Sequence, residues 1–221
     1  MLIVSGIEHY CDYKKNIKIR RNNMSFTDNF GNPKGLLGRI MLMSMDREHL
    51  PMAQWALEQI RIPANGRIAD LGCGGGYNIK RMLGMSKKAK FIGLDISDES
   101  VKKARKVNKD ELGKRVKIIR GSVEKLPFKD KSVDLITAFE TVFFWKKIEK
   151  SFGEVYRSLV NGGCFAVINN YGDPNVDWEK KVPCMTRYTA EQIADMLKNA
   201  GFADISVNRK ENLFLVMGHK K

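Results

Sequence analysis

The residues Asp70-Leu71-Gly72-Cys73-Gly74-Gly75-Gly76 set a carboxylate directly before a run of glycines. Glycine turns of this kind let backbone approach a ligand closely. The spacing is G-x-G-x-G. A dinucleotide fingerprint would require its third glycine at Tyr77, and a phosphate-binding P-loop would require Gly-Lys-Ser/Thr; neither is present. An acid ahead of the glycines repels a pyrophosphate and favours a ligand with positive charge at the turn. A second acid, Asp95 in "GLDIS", stands where a strand-end carboxylate accepts hydrogen bonds from a ribose diol. A ribose, a cationic amino-acid end and no phosphate fit S-adenosyl-L-methionine, and fit NAD poorly. Chemistry on a sulfonium is an in-line methyl displacement. It demands alignment above all, with a general base only where the nucleophile arrives protonated.

The elements that must position these residues alternate. Short apolar runs predict strands over 67–71, 90–95, 116–120, 133–139 and 163–171, with helices over 76–84, 98–111 and 147–160. Such alternation predicts an α/β fold with a mostly parallel sheet covered by helices on both faces. "TAEQIADMLKNAGF" predicts a further helix, with Thr189 and Gln192 as a capping box and Gly201 at its C-terminal end. Two strands follow, over 203–210 and 212–221. The connection between them is too short for a crossover, so they form an antiparallel hairpin. Ahead of the sheet, 34–60 reads as helical, with Pro51 in a first turn. The expected organisation is an arm over 1–33, a helical lid over 34–62 and a catalytic domain over 63–221, in a single domain overall.

Composition narrows the class. The 221 residues are 43% hydrophobic, enough for a core, and charged residues interrupt every apolar run before it reaches membrane-spanning length. The start "MLIVSGIEHYCDYKK" has no signal-peptide pattern, so the expected location is cytoplasmic. Cys11, Cys73, Cys164 and Cys184 are scattered without a C-x-x-C pair, which argues against zinc and against a disulfide framework; no metal is expected. The net charge of +14 is spread over "KKNIKIRR", "KKAK", "KKARKVNK" and "KKIEK", read as solvated helix faces and loops. None has the interleaved aromatics of a base-stacking surface.

Four ordered blocks resemble the class I S-adenosylmethionine-dependent methyltransferases, in particular the "type 11" small-molecule group. They are "IADLGCGGG", "FIGLDIS", "GSVEKLPFKDKSVDLITAFETVFFW" and "EVYRSLVNGGCFAVI", and the resemblance covers about residues 35–170. It implies a Rossmann-like, seven-stranded, mostly parallel sheet with a reversed strand in its C-terminal hairpin and an N-terminal helical lid. It also implies cofactor roles. Asp70 and the backbone of Gly72, Cys73, Gly74 and Gly76 would hold the methionyl end, and Asp95 the ribose. Ile96 would pack on adenine, Ser122, Val123 and Glu124 would face its edge, and Phe139 would border the sulfonium. Two positions depart from the family pattern. Ser122 stands where an Asp often contacts the adenine amino group, and Asn161 replaces a turn proline.

The acceptor side is read from segments beside the strand tips. Glu140 and Tyr77 are candidate catalytic groups, Glu140 as a base or substrate ligand. His49, Trp55, Phe143, Trp145, Tyr171 and Arg187 are candidate substrate contacts, with core packing or exposed surface as the plainer reading of several. The expected activity is methyl transfer to a small molecule. The alternative is an RNA or protein methyltransferase using the basic surface, although "TAFETVFF" is not the Asn/Asp-Pro-Pro-Tyr motif of nucleic-acid amino methylation. A cofactor-binding module without turnover and an oxidoreductase rank lower.

Overall fold

The computed structural model describes residues 49–172, 175, 177, 180, 182 and 184–221. In chain order these are α1 (Leu50–Leu57), β1 (Arg67–Leu71), α2 (Tyr77–Met85), β2 (Lys90–Asp95), α3 (Asp98–Val107), β3 (Val116–Arg120) and β4 (Val133–Phe139). A 3-10 turn over Val142–Phe144 leads to α4 (Ile148–Ser158), β5 (Leu159–Asn170), α5 (Ala190–Asn199), β6 (Ala203–Lys210) and β7 (Leu213–His219). The expected arm over 1–33, and lid residues 34–48, lie outside the described residues. From the lid, α1 is described, with Pro51 in its first turn.

The seven strands run in the order β3-β2-β1-β4-β5-β7-β6. β1 through β5 pair in parallel, and β7 is antiparallel to both β5 and β6, so it is the one reversed strand. Two apolar clusters cover the two faces. One packs Phe152, Phe165, Phe214 and Ile136 beneath α4 and α5; the other packs Ile68, Phe91, Ile79 and Leu135 beneath α1, α2 and α3. A sheet buried on both sides explains the near-continuous apolar strands.

Two boundaries differ from the sequence pattern for visible reasons. β5 starts at Leu159, earlier than 163, because Leu159 already pairs with Val133 across a register irregularity. α3 ends at Val107 rather than running to 111. The buried Asn108 stops it: its side-chain amide donates to Ala104 O at 3.0 Å and to Gly76 O at 2.9 Å, ending the helix and tying it to the glycine turn. The capping box on α5 forms as read, with the Thr189 hydroxyl accepting from Gln192 N and the Gln192 side chain accepting from Thr189 N.

Two of the sequence blocks, far apart in the chain, meet here. Leu126 N donates to Glu154 Oε2 at 2.8 Å, and Arg157 donates to Phe128 O at 2.8 Å and binds Glu154. The Glu-x-x-Arg of α4 therefore holds the loop that runs from β3 into β4. Glu154→Ala leaves the Leu126 amide without its acceptor and should lower unfolding stability by about 1–3 kcal/mol. Urea unfolding with an unchanged m-value measures this, and a loss below about 0.5 kcal/mol would show that the strut carries little.

Candidate active site

In a parallel sheet all strand tips face one way, and a ligand crevice opens where the chain order reverses. Here the reversal lies between β1 and β4, which places the tip of Asp70 in that crevice. The glycine turn is fastened by backbone bonds: Gly72 N and Cys73 N both donate to Leu94 O, at 2.7 and 3.0 Å, and Gly76 N donates to Cys73 O at 2.8 Å. Gly76 has φ +77°, and a Cβ there would come within 2.8 Å of Ala104 Cβ, so no other residue fits.

Asp95 is the hub of this turn. Its Oδ2 accepts from Gly74 N and its Oδ1 from Ser97 N, each at 2.9 Å. The carboxyl is 8% exposed; burial raises its pKa, and these N–H donors oppose the rise. Asp70, 2% exposed, accepts from Thr137 Oγ1 at 2.8 Å. Burial pushes it up to about 7, Thr137 works against that shift, and the nearby Asp95 charge adds to it. The Cys73 thiol between them is pushed well above its usual range by burial and by both carboxylates, so it is an inert packing group.

Beyond Asp95 the site turns apolar and then polar again. Ile96 is 50% exposed, a large apolar side chain left open beside the carboxylate. Gly121 N donates to Asp95 O at 3.0 Å, which brings Ser122 and Val123 alongside. The Ser122 hydroxyl accepts from Glu124 N at 3.2 Å, and the Glu124 carboxylate lies 3.9 Å from Lys147 Nζ.

On the other side of the crevice, Phe139 is buried at the end of β4. Glu140 follows with φ +53°, a backbone region that side chains rarely adopt and that surrounding structure must enforce. Its N donates to Ile168 O at 2.8 Å and its carboxylate accepts from Asn170 N, so one residue bridges the tips of β4 and β5. Burial pushes this carboxyl up to about 8. Thr141 packs against Gly72, so β4 also abuts the glycine turn.

The remaining candidates are spread more widely. Trp145 sits in the core, edge-on to Phe152 and stacked on Phe165, with its Nε1 donating to Thr141 Oγ1 at 3.3 Å. Phe143 is buried in the same cluster. Tyr171 packs on Phe214 and its hydroxyl accepts from Ala190 N at 3.1 Å, while Arg187 donates to Tyr171 O. Tyr77 opens α2 with its ring toward Lys103, 5.6 Å from Nζ to centroid. His49 precedes α1 and is held down at about 4, by burial first and then by the Arg81 charge, so it is neutral at pH 7. Trp55 packs half-buried over the α1–α2 cluster.

Sequence reasoning missed Thr137, Thr141 and Asn108. Thr137 was visible as a hydroxyl in the apolar second half of β4; the other two show no signal before folding. It also passed over Asn169, fully buried in β5, whose amide has no partner among the described residues.

The family model described as "Methyltransferase domain" matches residues 69–167, from the middle of β1 to near the end of β5. This match and the relatives it joins support a class I S-adenosylmethionine-dependent methyltransferase. It is 28% identical over 166 residues to the uncharacterized methyltransferase YdaC of Bacillus subtilis, spanning 75% of this chain and 87% of that one. A sterol 24-C-methyltransferase of Neurospora crassa is 31% identical over 125 residues, 54% of this chain but only 33% of its own length. A crystal structure of a SAM-dependent methyltransferase from Aquifex aeolicus superposes with a TM-score of 0.67 at 23% identity, over 81% of this chain and 97% of that one, a likeness of fold. The cofactor of this methyltransferase is S-adenosyl-L-methionine. The residues at this crevice are of kinds that fit that molecule: a buried carboxylate at the turn for an ammonium, a second at β2 for hydroxyls, an open apolar face for a ring and, among the described residues, no nest of basic groups for phosphate.

Asp70 also carries a stability cost with a definite sign. Its folded pKa of about 7 lies above the ordinary 3.8, so between these values the folded state keeps a proton that the unfolded chain releases. Its contribution therefore becomes less favourable as pH rises through that window. Asp70→Asn should raise the melting temperature of the ligand-free protein at pH 8 and change it little near pH 4. An equal shift at both pH values would refute the buried-charge account.

Proposed function

We propose that this methyltransferase transfers a methyl group to a small-molecule acceptor bound over the tips of β4 and β5. The observation that carries the reading is Glu140, an enclosed carboxyl on strained backbone, one residue from the Thr141 contact to the cofactor turn. The named function of the sterol relative supports the acceptor class.

The cofactor supplies an electrophilic methyl on a sulfonium. Asp70 pairs with its ammonium, the Gly72–Gly76 backbone closes around the methionyl end, and Asp95 accepts from the ribose hydroxyls while keeping Gly74 and Ser97. Ile96, Ser122, Val123 and Glu124 line the base, and Phe139 shields the reacting centre from water. Glu140 accepts the proton of an acceptor hydroxyl or amine as the new bond forms. His49, Trp55, Tyr77, Tyr171 and Arg187 lie on the surrounding walls, while Phe143 and Trp145 support the β4 tip from within the core. A domain over 63–221 carries the chemistry, with the segment over 34–62 as its cover.

Three measurements test this. Labelled S-adenosylmethionine incubated with fractionated cell extract should label a small molecule; label in RNA or protein instead would overturn the acceptor class. With the identified acceptor, the wild-type rate should climb with pH to a plateau above about 8, where Glu140 is ionised. Glu140→Gln keeps an oxygen for Asn170 N but should lose about 100-fold or more in rate together with that rising limb; an unaltered pH profile would remove Glu140 as the base. Calorimetry should show cofactor affinity rising from pH 6 to 8 as Asp70 ionises, and no such rise in Asp70→Asn.

A further inference from the structure

Cations that lie scattered along the sequence gather in the fold at the end of the sheet opposite the crevice. The turn that enters β2 carries Lys87 and Lys88, with Lys90 as the first residue of the strand, and the turn that enters β3 carries Lys109 and Lys114; all five are exposed. None of the five joins an ion pair among the described residues. Asp110 is the one exposed acid on these two turns, because Glu111 is half-buried and bound to Arg115 at 2.9 Å. Arg115 also stitches the turns together: its Nη1 donates to Ser86 O at 2.8 Å and its carbonyl accepts from Phe91 N at 2.7 Å. Beside them Arg67 heads β1 directly opposite Lys90, both exposed, a pairing of like charges that costs stability in a sheet. At the crevice end, by contrast, Arg120 pairs with Asp98 and Lys147 faces Glu124. The two ends are well separated, since six residues of β2 set Lys90 roughly 17 Å from Asp95.

We propose that this basic end docks on the surface of an anionic lipid bilayer. Two exposed apolar side chains decide between a bilayer and the other common polyanion, nucleic acid. Met85 is 50% exposed and Leu112 is 37% exposed, and they stand on these same two turns, each two residues before a lysine. Cations with aliphatic side chains between them suit a membrane surface: the lysines meet anionic headgroups while the aliphatic chains enter the acyl boundary. A phosphodiester backbone offers those chains nothing, and neither turn carries an aromatic ring on which a base could stack. The face is also at the wrong end to lead a nucleic acid to the crevice. A chain docked this way keeps its crevice on the aqueous side, so the bilayer is an anchor and leaves cofactor entry open. The proposal concerns where the protein sits and does not depend on its acceptor.

The test is co-sedimentation of the purified full chain with vesicles. Vesicles of phosphatidylcholine with about one-third phosphatidylserine should carry the chain down and vesicles of phosphatidylcholine alone should not, and binding should fade between about 0.1 and 0.5 M salt as the charges are screened. Joint replacement by Lys87→Glu, Lys88→Glu, Lys109→Glu and Lys114→Glu should weaken binding at least about tenfold. Met85→Ser with Leu112→Ser should weaken it about threefold or more and leave its salt dependence unchanged. No binding to the phosphatidylserine vesicles, or equal binding to both kinds, overturns the proposal, and these wild-type measurements decide it even if a variant fails to fold. Unchanged affinity in either variant, with folding confirmed by circular dichroism, overturns it as well. Tighter binding to a homopolymeric RNA than to the anionic vesicles, insensitive to Met85→Ser with Leu112→Ser, would make the face a nucleic-acid surface instead.

Discussion

The Asp95 carboxylate accepts from Gly74 N and Ser97 N, and much of the cofactor face is built outward from those two bonds. They join the turn after β1 to the start of α3, while Gly121 N on the Asp95 carbonyl adds the tip of β3. An acid at this position therefore holds the walls as well as facing the crevice. A buried carboxylate with several N–H donors is costly to lose, because the orphaned amides would remain buried.

The two sides of the crevice are built on different principles. On the β1–β3 side the backbone is relaxed and glycine-rich, and recognition comes from donors and acceptors in fixed places. On the β4–β5 side, Glu140 holds an unfavourable φ because its own N–H and carboxylate both bind β5. Strain and an enclosed acid at one residue are tolerated because Phe139 and the aromatic core around Trp145 over-determine its position. Asp70 shows the same exchange of stability for readiness, since it is buried with no cation paired to it among the described residues.

The sheet was legible in the sequence because strand runs such as "KFIGLD" and "VDLITAF" are mostly apolar, with buried residues along most of their lengths. The residues proposed for the cofactor side could be named from the sequence because they lie within a few positions of those runs. What escaped was set by contacts between distant segments. The end of α3 depends on Asn108 reaching Gly76, and the start of β5 on Leu159 finding Val133, which no local pattern encodes. The acceptor candidates were chosen by residue type, and type alone cannot separate Trp145, whose ring is core, from Glu140, whose carboxyl lies at a strand tip.

β7 comes last along the chain yet lies between β5 and β6 in the sheet. β6 therefore has no partner when it is made and must wait for the strand that follows it. During synthesis the edge of β5, with Phe165 and Val167 beside it, stays unpaired until residues 213–219 have left the ribosome. That interval exposes a parallel sheet with an open apolar edge, the form most prone to pairing with another chain. A strand that carries none of the proposed site residues thus governs how safely the nascent protein reaches its native state.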